Sequence, residues 1–144
     1  MTHNLLDAVK HSLLDARPSL EFSVIEHEES ASFGNAQVVL QSATLRLRVI
    51  RDRGLTFVDF GAEDFPGIWF DSAVVFDWLK LSDRGGLHGS DTDQVLRGVS
   101  ELLRVFGEEI GEKFSRSQFP IAKRELEAIR DSRAAKIYRF DGEK

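Results

Sequence analysis

The chain has no cysteine, three prolines, one methionine and one tyrosine in 144 residues. Without cysteine, disulfides, thiolate metal sites, thiol nucleophiles and thiol redox switching are all excluded. No apolar run approaches membrane-spanning length, and Met1 to Ser12 lacks the basic start and unbroken apolar stretch of a secretory signal. A cytoplasmic protein without a membrane partner is therefore expected. Positive charge is also scarce: 19 Lys and Arg against 24 Asp and Glu leave −5, which argues against nucleic acid as a partner. Six of those basic residues, against three acids, fall in 121–139, so the surface is polarised with a basic C-terminal end. They alternate with Glu125, Glu127 and Asp131, as on a solvated helix with local ion pairs. The motifs G-x-S-x-G and G-x-x-x-x-G-K are missing too, and no two of the four histidines share a helix or strand spacing that would aim them at one metal. No cofactor and no metal site are expected.

What is present suits one folded domain, since 42% of the residues are hydrophobic, eleven of them Phe, and 30% are charged. Leu5, Leu6, Val9, Leu13 and Leu14 are spaced for a short helix over Asn4 to Ala16, stopped by Pro18. From Leu20 the period becomes two, with Leu20, Phe22 and Val24 on one side, and Gly34-Asn35 turns the chain before Gln37 to Gln41. Thr44 to Arg51 and Leu55 to Gly61 follow as two more strands, while Glu26, Glu28 and Glu29 read as a strand end and loop. Short connections make the four an antiparallel meander. Asp71 is placed to cap a helix of about three turns carrying Val74, Val75, Trp78 and Leu79, ending by Gly85-Gly86. A longer helix starts near Ser90-Asp91 with Val95, Val99, Leu102, Leu103, Phe106, Ile110 and Phe114 inward, and includes Gly98, Gly107 and Gly111. Pro120 suits the first turn of a last helix running to about Tyr138, with Leu126, Ile129 and Ile137 inward. The expected class is α+β: a four-stranded antiparallel meander with an N-terminal helix and three C-terminal helices mainly on one face.

Four arginines crowd the hairpin L-R-L-R-V-I-R-D-R-G-L-T-F-V-D-F-G. A three-residue Asp52-Arg53-Gly54 loop would mix polar and apolar side chains on both faces. A four-residue loop from Arg51 to Gly54, or a two-residue Arg53-Gly54 turn, instead puts Leu45, Leu47 and Val49 with Val58 and Phe60. Arg46, Arg48 and Ile50 then share the second face with Leu55, Phe57 and Asp59, and Asp59 can pair with Arg46 or Arg48. Arg46, Arg48, Phe57 and Asp59 are thus the candidate partner surface, because exposed arginine and aromatic groups together are favoured where proteins bind. Their structural alternative is arginine stems covering the sheet, with Asp59 neutralising part of the charge.

Acids gather after the fourth strand. Glu63, Asp64 and Asp71, with Trp69 and His88, form the alternative candidate: a polar pocket near that strand's end, where carboxylates could hold a cation or act on a ligand. A metal-dependent nuclease would need further acids on a neighbouring strand, and that strand carries Arg46 and Arg48. The bland reading is turn residues plus the Asp71 cap.

Between Leu45 and Leu79, the R-D-R-G of the hairpin, the F-V-D-F after it and W-F-D-x-x-x-V-x-x-W-L at the next helix are similar to stretches of uncharacterised small bacterial proteins, some of which resemble immunity proteins of toxin systems. The resemblance implies a non-catalytic, acidic, single-domain binder that covers a toxin's active surface, and it carries over no catalytic residue. Three functions follow as expectations. The first is a protein-binding protein of immunity or interaction type; the second is a small enzyme or ligand carrier using the acidic pocket; the third is a homodimer subunit with a structural role.

Overall fold

The computed structural model describes residues 4–15, 20–30, 35–81 and 88–142, with side chains through Lys136. His3, Pro18, Gly34, Gly85-Gly86 and the Ile137 side chain lie outside the described part.

The strands are β1 (Ser23–Glu29), β2 (Ala36–Gln41), β3 (Leu45–Asp52), β4 (Leu55–Ala62), β5 (Phe70–Asp71) and β6 (His88–Gly89). The class is α+β, and β1 to β4 form the antiparallel meander. The four-strand count needs correction: β5 and β6 both pair with the outer edge of β4, giving six strands among the described residues. Two-residue strands have no alternation to read, so only tertiary pairing reveals them. The first strand also starts later than its alternation suggests. Leu20 and Phe22 precede it, a bulge at Ile25 shifts its register, and Glu26, Glu28 and Glu29 lie inside it.

Four helices lie among the described residues: α1 (Leu5–Val9), which widens into a π-helical segment Lys10–Asp15, α2 (Ser72–Trp78), α3 (Thr92–Lys113) and α4 (Phe119–Gly142). Asp71 and Asp91 cap α2 and α3, each carboxylate accepting the N–H of the third residue on. Unlike the expected three turns, α2 ends after Trp78. Lys80 adopts a left-handed φ of 63°, with Lys80 N–H on the Asp77 carbonyl and Leu81 N–H on the Phe76 carbonyl. That bond pair is a Schellman stop formed without glycine.

Period two decides what the helices cover. Leu45, Leu47 and Val49 face Ala62, Phe60 and Val58 across β3 and β4, and Val38 and Leu40 continue the rows on β2. All are buried in one cluster with Leu5, Val9, Val75, Leu96, Val99, Leu103 and Leu126 from the helices. Fully burying a side chain of this size is worth about 1.5–3 kcal/mol, so the inner face is the main source of stability. Thr56, wholly buried on that face, is satisfied by the Thr92 hydroxyl at 2.8 Å.

The β3–β4 connection is the two-residue turn: Asp52 faces Leu55, and Arg53 and Gly54 both have positive φ, 52° and 82°. Positive φ at both positions is the signature of a type I′ hairpin. The Asn35 side chain accepts the Arg53 N–H at 2.9 Å and steadies the non-glycine position. The four-residue alternative is thereby set aside: Arg53 sits at the tip, whereas Arg51 belongs to β3, opposite Thr56.

At the far end, Phe114 and Phe119 pack edge to face across the α3–α4 corner, with Phe65 tilted against Phe119 and Trp78 against Phe114. Those contacts tie the segment after β4 to the helical layer. The α3 glycines leave room: a methyl built at Gly107 would lie 3.6 Å from Leu20, an ordinary contact. We therefore expect Gly107→Ala to raise unfolding free energy by about 0.5–1 kcal/mol. Lys80→Gly should add up to about 1 kcal/mol by relieving its left-handed backbone. Gly107 adjoins Leu20 and Leu103 while Lys80 bonds to Asp77, so urea titration of the double variant should show additive shifts.

Candidate functional site

Residues opposite one another in an antiparallel pair share a face, so the register maps the surface turned away from the helices. One row runs Glu26, Val39, Arg48, Asp59, Asp71, and the next runs Glu28, Gln37, Ile50, Phe57, His88. Arg46 lies beside Gln41 and Gly61 in a third.

Arg48 is the best-held side chain of this face. It donates from Nε and Nη2 to Asp59 Oδ2, at 3.1 and 2.7 Å, and its guanidinium lies 4.5 Å from the centre of the Trp69 ring. Gly61 makes room for that indole. A Cβ there would come within 2.9 Å of the Ile68 carbonyl oxygen and 3.0 Å of the Trp69 ring. Glycine inside a strand commonly marks such an approach. Arg46 donates from Nε to Gln41 Oε1 at 2.9 Å. Opposite Arg48 on β2, Val39 is only 2% exposed although it lies on the face opposite the core, so the neighbouring polar side chains shelter apolar surface as well as carrying charge.

Toward the hairpin tip the same face becomes apolar. Phe57 and Leu55 are exposed, Ile50 is half-buried, and His88 stacks on Phe57 with ring centres 6.3 Å apart.

The two candidate residue sets therefore meet. Asp71 lies opposite Asp59 and His88 opposite Phe57, and the Trp69 ring covers Arg48. Glu63 and Asp64 do not join them. They occupy the turn after β4, with Glu63 N–H on the Thr44 carbonyl and Phe65 N–H closing back on Ala62. His88 lies in the short strand β6. It also edges a cleft of about 530 Å3 between β6 and α3, whose lining includes Asp91, Gln94 and Glu101 over Phe76 and Val95.

Burial raises the Asp59 carboxyl above the usual aspartate range; Arg48 pulls it down through hydrogen bonding and charge, and Asp71 adds repulsion. Both acids already have structural work, Asp59 holding Arg48 and Asp71 the α2 N-terminus. Among the described residues no group of three or more His, Asp and Glu could hold a metal ion. The arrangement sets a paired arginine beside aromatic rings on this face, and Phe57 and Leu55 are exposed on it.

Sequence reasoning left the role of Gly61 and the union of the two sets unread. A glycine within F-V-D-F-G-A was the available signal for close approach, whereas β5 and β6 gave none.

A raised folded pKa stabilises the protein fully below the unfolded pKa, and that contribution is lost as pH rises through the folded value. The wild type should thus lose stability relative to Asp59→Asn as pH climbs from the ordinary aspartate range through the raised one, as urea unfolding across pH would show. Carboxyl NMR should find the Asp59 midpoint higher still in Arg48→Met and lower in Asp71→Asn. Gly61→Ala should destabilise by about 1–3 kcal/mol, because a backbone carbonyl must move; thermal unfolding measures it.

Comparison with family models, with curated proteins and with solved structures returned no match.

Proposed function

We propose that the chain is a non-catalytic protein-binding module and that the sheet face bearing Arg48 and Phe57 is its contact surface. The observation that carries this reading is the fixed guanidinium: Arg48, clamped by Asp59 and Trp69, stands two residues along the sheet from the exposed Phe57 row. Arginine and aromatic side chains dominate binding hot spots, and an anchor held in place before contact loses little entropy on binding. The described helices pack their buried residues on the opposite face, and Phe57 and Leu55 of this one are exposed. An immunity-type role, implied by the hairpin and helix-start resemblance, fits a chain of net charge −5 and a rigid surface suited to covering another protein. No step of catalysis is asked of Asp59, whose ionised form serves Arg48.

The test is site-specific photo-crosslinking in native cell extract, with a benzophenone side chain at position 57 or, as control, at the exposed Ile121 of α4. A defined adduct at 57, absent at 121 and lost in Arg48→Glu, is expected. Once that partner is purified, Phe57→Ala should weaken binding by about tenfold or more. Adducts that ignore Arg48→Glu would remove this face from the site. Should the adduct weigh twice the chain, the homodimer reading would take its place.

A further inference from the structure

The two edges of the sheet differ. The outer edge of β4 is closed by β5 and β6, whereas β1 pairs only with β2 among the described residues. Six of the seven β1 residues are exposed, on both faces of the sheet, and Val24 alone is half-buried. An edge strand carries a row of backbone N–H and C=O groups pointing outward, which can template another strand.

The side chains restrict what can be added. Beyond the bulge at Ile25 the strand reads Glu26-His27-Glu28-Glu29. Glu26 and Glu28 project from the Arg48 face, and Glu29 from the other, with its carboxylate 3.8 Å from His27 Nε2. A second copy pairing β1 against β1 would set acid against acid, and like charges opposite one another destabilise a sheet. The edge thus disfavours pairing with a second copy and rewards positive charge at alternate positions.

We propose that the free edge of β1 takes up an extended, basic segment of a partner protein as an added strand. Main-chain hydrogen bonds supply attachment, and lysine or arginine side chains two residues apart meet Glu26 and Glu28. This site lies at the edge opposite Phe57 and His88 and goes beyond the surface proposed above.

The probe is a fluorescein-labelled peptide of alternating lysine and threonine, added to the whole chain. Anisotropy measures affinity, and amide NMR maps the contact. The basic peptide should bind and shift the Ser23–Glu29 amides. A glutamate–threonine peptide, and the basic peptide N-methylated at alternate backbone nitrogens, should each bind about tenfold more weakly or less. Glu26→Lys with Glu28→Lys should invert the preference between basic and acidic peptides; exposed positions keep that variant folded, which circular dichroism checks. Arg48→Glu should leave the affinity unchanged, so this inference and the Arg48 surface can fail separately. Equal binding by the N-methylated peptide would reduce the effect to charge attraction and overturn strand addition. No binding of the basic peptide, or shifts confined to other elements, would overturn the proposal as well.

Discussion

Sliding β3 by one residue against β4 would turn Arg46 and Arg48 under the helices and send Leu45, Leu47 and Val49 into water. Nearly every other feature rests on this not happening. The register places the apolar row beneath α1, α2 and α3, and the same register places Arg48 opposite Asp59. Each arginine forced into the core would have to be neutralised or paired there, at a cost of several kcal/mol per ion. The hydrophobic pattern and the turn therefore enforce one alignment from opposite ends.

That alignment also sets an opposition at Asp59. Its side chain is 15% exposed, and burial favours its neutral form while Arg48 favours the charged one. Burial has the larger effect, so the acid accepts an unfavourable environment and in exchange holds a cation in one orientation. Such a pair adds little to stability and much to geometry. Trp69 completes the clamp because β5 continues the outer face past Asp71, and because Phe65, packed on Phe119, pins the segment that delivers it.

Much of the fold could be read from residues alone, for physical reasons that name themselves. Alternation marked β2, β3 and β4, and the preferred parity is the observed one. Asp71 and Asp91 precede apolar residues at helical spacing and do cap helices. What escaped reading depended on distant partners. Nothing local announces β5 or β6, which exist because β4 offers an edge. Glutamates after Val24 look like loop residues until a bulge at Ile25 offsets the register and β2 pairs with them. Lys80 stops α2 from a backbone conformation that its side chain does not advertise. The site was half legible for the same reason: Arg48 with Asp59 is a neighbour pair across one hairpin, whereas Trp69 over Arg48 and His88 on Phe57 require two further crossings.

The tight Arg53-Gly54 turn bears on the order in which the chain assembles. Closing a loop of two residues loses little chain entropy, and the β3–β4 ladder can zip from there by neighbouring contacts. By contrast the Thr44 hydroxyl reaches the Gly111 carbonyl across 67 positions, and that contact must wait until α3 has docked. The Arg48–Asp59 pair of the arginine face thus rests on contacts close in sequence, whereas the helical layer is joined to the sheet through distant ones.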